Sequence, residues 1–557
     1  MLLKKIFNTI LILIGIVLMV VLAGFAIMMF GHVSLFGYTW LSLSQTESQL
    51  QFTFSPDNLQ TIDIETKNLD ITIEYFDDAS TTGGVVEIVT NMQGIVKDDV
   101  KEVSYCEETV DEDGNKQYTV INKDSIVVDS NGVLKIRTLE PTGFLFKNNS
   151  RVRIYLPQKK SNNTSFRLQN LKISTASNNI NVGNNNQFKI NNLEVTSSKK
   201  LFNASVKLDK NVVVENNLIL NTNYGRITVD AQINGNLKVN SLAGSILVNS
   251  NIGGNVDITG QNPLVEIGSM PGSWRNRKDS YTDMTDEIIN NNKAKGVFGD
   301  VIIHDIEKGG NVKVSGVVGG DTYINAGDIE FWAGFVLKGL YCDEGSNNIR
   351  IFGSVGVDIT ELEPAYGATL TIFGATDDVK YCSLNIGDGS LFINNAYHTL
   401  SITAKKGDVY INRIQNGAEI NSTNGGATVC ESHGDLTVHC DNHNISVSNI
   451  YGSVNLTAMR GKVAATFVNV SGENTIIAQR NIDVSVKDGN AFNLTTKAKA
   501  GAVDVKMLPV EYNNWNGIEK QDGWFVRTDE INGGNVSNTL LLQMNGGDKI
   551  TAGLYVN

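Results

Sequence analysis

One short form recurs through most of this chain. A glycine, often followed by Asp, Ser or Asn, opens a run in which two apolar residues are separated by one other. It reads GRITV from Gly225, GNLKV from Gly235, GSILV from Gly244, GNVDI from Gly254, GDVII from Gly299 and GNVKV from Gly310. It returns as GSLFI from Gly389, GDVYI from Gly407, GDLTV from Gly434, GSVNL from Gly452 and GAVDV from Gly501. Alternation with period two is the mark of a strand with one face buried. The spacing is about nine to eleven residues per strand, with stronger matches near 18–20, and a fixed period of that size points to stacked coils. A glycine at each corner supplies the positive φ of a tight turn. No coil buries its apolar face alone, so each must stack on the next. The fold class this predicts is all-β: a parallel β-solenoid, or β-helix, over residues 161–508.

Residues 49–160 alternate in the same way without the glycine form. In TIDIETKNLDITIEY, Ile62, Ile64, Leu69, Ile71, Ile73 and Tyr75 should face one side. Leu134 and Ile136 do so in VLKIRT, and Val152, Ile154 and Leu156 in RVRIYLP. This segment reads as an N-terminal β module. Ser269–Lys295 is polar, lacks the repeat and reads as a projecting loop. Residues 509–557 break the period with Tyr512, Trp515, Trp524 and Phe525. They are expected to cap an otherwise exposed strand edge, with a final pair of strands at TLLLQM and ITAGLYV.

The N-terminus sets location. Lys4 and Lys5 precede an uncharged apolar run from Ile6 to Phe30. A helix of about 20 such residues spans a bilayer, whereas the apolar core of a cleaved signal runs about 7–15. Gly24-Phe25-Ala26 resembles a cleavage site, so removal stays open beside the anchor. The lysines predict a cytoplasmic N-terminus, residues 1–5, with the bulk of the chain extracytoplasmic. Phe36, Tyr38 and Trp40 in the juxtamembrane segment, residues 31–48, suit an interfacial aromatic belt.

Net charge over the 557 residues is −13. That argues against nucleic acid, whose binders neutralise runs of phosphates. It argues equally against docking on anionic lipid through a basic patch. Five cysteines are too few for a disulfide scaffold.

IDIETKNLDITIEY, VRIYLP and glycine-opened strands such as GDVYI and GDLTV together resemble the bacterial putative-adhesin domain of unknown function. The likeness covers most of the chain after residue 50. It implies a membrane segment, a short β region and a β-solenoid in an envelope-associated, adhesin-like protein without shared catalytic residues. The chain departs from that pattern in its length and in Ser269–Lys295.

Four places in the sequence bear on chemistry. Calcium-binding β-rolls need tandem GGxGxD, which is absent; Asp300, Asp321, Asp328, Asp388, Asp408 and Asp435 are expected to bond turn amides at corners instead. Glu361 and Glu363 in TELEPAYG read as ordinary surface. No G-x-S-x-G, P-loop or H-E-x-x-H occurs.

The fourth place is CESHGDLTVHCDNH, which gathers Cys430, His433, His439, Cys440 and His443. Period two sends Leu436, Val438 and Cys440 inward and His439 outward, with Cys430 outward from a different strand. A zinc site would use Cys430, His433, His439 and His443, but needs the corner to fold back. A Cys430–Cys440 disulfide is another option. The favoured reading is one rung of the repeat, with no catalytic residue, metal or cofactor.

The function expected is a structural or binding role toward a cell-envelope polysaccharide or surface protein, through multivalent Asn, Thr and Ser contacts. Two alternatives stand beside it. One is a carbohydrate-active enzyme, a polysaccharide lyase or hydrolase on a β-helix, which needs an exposed acidic cluster. The other is an envelope-stress sensor component, for which five cytoplasmic residues leave little room.

Overall fold

The structure is a computed structural model that describes residues 2–31, 38–41, 48–97, 102–121, 126–176, 179–198, 205–260, 264–268, 297, 299–304, 310–318, 320–324, 328–336, 340–342, 348–355, 381–386, 390–396, 399–507, 510–533 and 537–556. The expected Ser269–Lys295 loop, Phe36, Glu361, Glu363 and Asp388 lie outside these residues. The described chain is mostly strand with one helix, and its sheets are long and largely parallel. Two compact units divide it, Met1–Asn234 and Gly235–Asn557.

In the first unit, Leu2–Gly31 is a single helix of 30 residues. Thr9–Ile27 has a mean hydropathy of 3.2 and none of it is buried. That stretch is long and apolar enough to be a single membrane span or a signal anchor. Tyr38–Leu41 is a strand rather than a loose linker, paired antiparallel with Met92–Lys97. Trp40 meets Phe25 edge-on, with ring centroids 5.7 Å apart.

Thr61–Glu65 lies parallel between Val133–Leu139 and Leu168–Thr175. Its register sets Ile62 beside Leu134 and Leu171, and Ile64 beside Ile136 and Ile173. Asp70–Tyr75 lies in the same way between Arg151–Leu156 and Asn179–Val182. The apolar residues expected to face inward, from Ile62 to Leu156, are all buried. The parallel ladder therefore runs through residue 160 without a break, because both sides of it carry the same alternation.

On the outer side of this ladder Arg137 is 7% exposed and gathers acids. Its Nη2 lies 2.7 Å from Asp63 Oδ2 and its Nε 2.9 Å from Glu108 Oε2. Lys116 adds ion pairs to Glu65 and Glu108. Burial works against the Glu108 charge, but the Arg137 hydrogen bond and the charges of Arg137 and Lys116 hold its carboxyl below the usual range.

In the second unit, each strand from Ala418 to Phe467 pairs in parallel with the strands two before and two after it. Leu436–Cys440, for example, lies between Ala418–Asn424 and Val454–Ala458. Groups hydrogen-bonded between neighbouring parallel strands here stand 18 residues apart. In the first unit the step is longer and uneven, at 22, 25 and 26 residues. The glycine form fades there because longer turns relieve the tight corner.

The corner glycines serve two ends. Gly407 has φ +89°, as a tight corner needs. Gly434 does not, and is held to glycine by crowding. A Cβ on it would stand 2.4 Å from the Asn416 carbonyl carbon of the neighbouring coil. Two of the aspartates act as expected: Asp300 Oδ1 accepts the Asp321 amide at 2.8 Å, and Asp408 Oδ1 the Gly426 amide at 2.8 Å. Asp435 accepts the Ser453 hydroxyl instead, at 2.6 Å.

The C-terminal end departs from chain order. Glu473–Ala478 and Ile482–Lys487 pair with Thr539–Met544 and Lys549–Tyr555. Those in turn pair with Phe492–Ala498 and Ala502–Met507, all in parallel. The chain's last two strands thus lie one rung inside. Their alternation, with Leu540, Leu542, Met544, Ile550 and Ala552 buried, matches the repeat and demands neighbours on both sides. The outer edge is covered by antiparallel strands, Trp524–Ile531 on Phe492–Ala498 and Val510–Tyr512 on Ala502–Met507.

Candidate functional site

The stretch richest in chemistry lies on the outward side of residues 390–451. GDLTV forms the strand Leu436–Cys440, with Leu436, Val438 and Cys440 in the core. Burial pushes the Cys440 thiol up to about 12, so it stays protonated and is no ligand. Cys430 follows the strand Ala427–Val429 and is half-buried. Its Sγ lies 3.1 Å from Tyr410 Oη, and the hydrogen bond to Cys430, the charge of Cys430 and burial raise the tyrosine hydroxyl above its usual range. Both cysteines are free thiols.

The three histidines take separate partners. His433 Nε2 lies 2.6 Å from Glu431 Oε1, and its ring stacks on Tyr451 at 4.4 Å with planes 4° apart. His439 Nε2 lies 3.0 Å from Asp441 Oδ1. His443 is exposed beyond the strand. The structure does not bring Cys430, His433, His439 and His443 together. His439 lies in the strand Leu436–Cys440, whereas His433 precedes that strand, on the far side of the Gly434-Asp435 corner. Among the described residues no group of three or more His, Cys, Asp or Glu is arranged to hold a metal ion.

What the structure does bring together is an aromatic and polar face. Phe392 stacks on Tyr410 with centroids 5.5 Å apart and planes 6° apart. The register sets these two side by side on neighbouring parallel strands. Arg413 Nε lies 3.1 Å from Glu431 Oε1, extending the row Arg413, Glu431, His433, Tyr451. Tyr410 is 38% exposed and Tyr451 39%. Burial opposes the Glu431 charge, but the His433 hydrogen bond and the Arg413 guanidinium hold its carboxyl below the usual range. It therefore stays ionised near neutral pH and is a poor proton donor, while a glycosidase acid needs a raised value. Flat rings with polar neighbours suit contact with a polyhydroxylated ligand.

Sequence reading missed Phe392, Tyr410, Arg413 and Tyr451. A signal for two of them was present. In GSLFI and GDVYI the middle residue of the apolar triplet takes the outward slot, so Phe392 and Tyr410 had to face solvent.

A second group of acids lies in the first unit. Burial raises the Glu74 carboxyl, with the charges of Asp77 and Glu87 adding to it and Arg153 opposing. Arg153 Nη1 lies 3.5 Å from Glu87 Oε2, and Gln49 donates to the same carboxylate. Glu87 is thus committed to neighbours, and the group reads as a structural ion pair.

No protein-family model matches the chain, and a search of curated proteins finds no match.

Proposed function

We propose that this chain is an adhesin-like, membrane-anchored protein, a parallel β-solenoid that presents its outward faces to cell-envelope polysaccharide or a surface protein. The observation that carries this reading is a pair of stacks on the outward side, Phe392 on Tyr410 and His433 on Tyr451, each joining residues 18 apart. Two such stacks suit a polymer, because several weak contacts add along one chain. The apolar helix and the preceding Lys4 and Lys5 support a single span with an extracytoplasmic bulk. The role is binding rather than catalysis, in keeping with an ionised Glu431.

Binding is tested with the full chain in detergent micelles on a panel of neutral envelope polysaccharides. Tyr410→Ala with Tyr451→Ala should weaken the best binder at least tenfold, with an unchanged thermal midpoint. No binding by the parent protein, or equal binding by the double variant, counts against the reading. Orientation has its own check. Cys430 is half-buried, while Cys106, Cys342 and Cys440 are buried. A membrane-impermeant maleimide applied to intact, wall-permeabilised cells should label the protein, and Cys430→Ser should remove most of that label. Labelling only after lysis would reverse the assigned topology.

A further inference from the structure

The covered end of the second unit holds an unusual concentration of cations. Asp522 and Gly523, with φ of +51° and +83°, make a two-residue hairpin turn of the type I′ form. The turn sets Lys520 opposite Phe525 and Gln521 opposite Trp524. Lys497 and Lys499 leave the adjoining strand end, and both ammonium groups settle on the same indole. They lie 4.6 and 4.8 Å from the Trp524 ring centroid. Lys520 Nζ lies 4.8 Å from the Phe525 ring and donates to the Lys499 carbonyl at 2.9 Å. Phe525 in turn stacks on Trp515 at 5.4 Å.

Three like charges therefore crowd one small surface. Ring faces attract them, but aromatic rings do not cancel their mutual repulsion. Two acids of this end are otherwise engaged. Asp529 is taken by Arg527, whose Nε lies 2.9 Å from it, and Asp504 by Lys549, also at 2.9 Å. Glu519 and Asp522 flank Lys520 in the chain, yet among the described residues no carboxylate forms an ion pair with Lys497, Lys499 or Lys520. An oxyanion placed among the three would meet mobile point-charge donors of the kind that hold phosphate and carboxylate groups. The rings beside them offer the apolar surface that a sugar covers.

We infer that the Lys497, Lys499 and Lys520 cluster, with Trp524, Phe525 and Trp515, is a recognition site for an acidic carbohydrate polymer that places one oxyanion among the ammonium groups. The chemistry distinguishes this ligand from other polyanions. Three lysines on a chain of net charge −13 match an isolated charge per repeat unit, not a nucleic acid with one charge per ~1.7 Å of duplex. Binding to an anionic bilayer uses clusters of about 4–8 cations. The site shares no residue with the Tyr410 and Tyr451 face.

The test is calorimetric titration of the full chain in detergent micelles. The probes are polygalacturonate, a glycerol-phosphate polymer, neutral dextran, single-stranded DNA and vesicles of anionic phospholipid. At least one acidic polymer should bind, and its affinity should fall at least tenfold between 50 and 500 mM salt, as expected when charges are screened. Lys497→Gln with Lys499→Gln should weaken it at least tenfold, and Lys520→Gln alone by a smaller factor, with unchanged thermal midpoints. Lys210→Gln, and Tyr410→Ala with Tyr451→Ala, should leave it unchanged. Binding of polygalacturonate alone assigns a carboxylate, and of the glycerol-phosphate polymer alone a phosphodiester. The inference is overturned if neither acidic polymer binds, if the double lysine variant binds as well as the parent, or if DNA or vesicles bind more tightly.

Discussion

Deleting residues 537–557 should open the ladder well beyond the deleted strands. Thr539–Met544 separates Glu473–Ala478 from Phe492–Ala498, and Lys549–Tyr555 separates Ile482–Lys487 from Ala502–Met507. Removing the pair strips one edge from each of these four strands at once. It also removes the fully buried Leu540, Leu542, Met544 and Ile550. At about 1.5–3 kcal/mol for each large side chain, the loss is on the order of 6–12 kcal/mol, similar to the net stability of a whole domain. Hydrogen exchange checks this. Amides in residues 473–507 and 524–531 should lose protection, while those in 418–458 keep it. A synthetic peptide of residues 537–557 added in trans should restore the lost protection. Full protection without the peptide would mean that the flanking strands close on each other directly.

Arg137→Ala should be the most damaging single change on the polar side of the first unit. It leaves Glu108 and Asp63 without their shared cation, and removes donors to the Asp63 and Ile136 carbonyls. Breaking a buried pair on one side costs about 3–5 kcal/mol, read as a fall in the denaturant midpoint of this unit. The sign of the pH effect follows from Glu108. Its folded value is depressed, so it stabilises the fold above its unfolded value, about 4.3. That contribution is lost as pH falls through the lower folded value. The parent should therefore lose stability on acidification below about pH 4.3, and the variant should lose less. Equal slopes in acid would remove Glu108 from the account.

The strand faces were legible because period two is a local property. Each of Ile62, Ile64, Leu134, Ile136, Leu436, Val438 and Cys440 needed only its own neighbours in the chain to be assigned inward, and each is buried. The 18-residue step was legible where corners are tight, and not in the first unit, where steps of 22 to 26 residues carry no fixed punctuation. Gly434 was recognised as a corner for the wrong physical reason, since the crowding that requires it comes from Asn416 on another coil. The inserted final strands were not legible either. TLLLQM has the same alternation as any rung, and nothing local says between which rungs it fits. The outward side was expected to offer Asn, Thr and Ser contacts, and its paired rings carry no sequence motif. The stacked rings and the lysines around Trp524 depend on register and on a hairpin, which bring together residues from separate strands.

The corner bonds of the second unit bear on how its length can change. Asp408 is completed by Gly426, and Asn444 by Lys462, each 18 residues on. A segment of that length removed or duplicated whole returns every corner to an equivalent partner and every apolar residue to the core. Half that length exchanges one strand series for the other and mates unlike corners. Reach is thus adjustable in whole units of about 4.8 Å, one strand spacing, with no new core to invent.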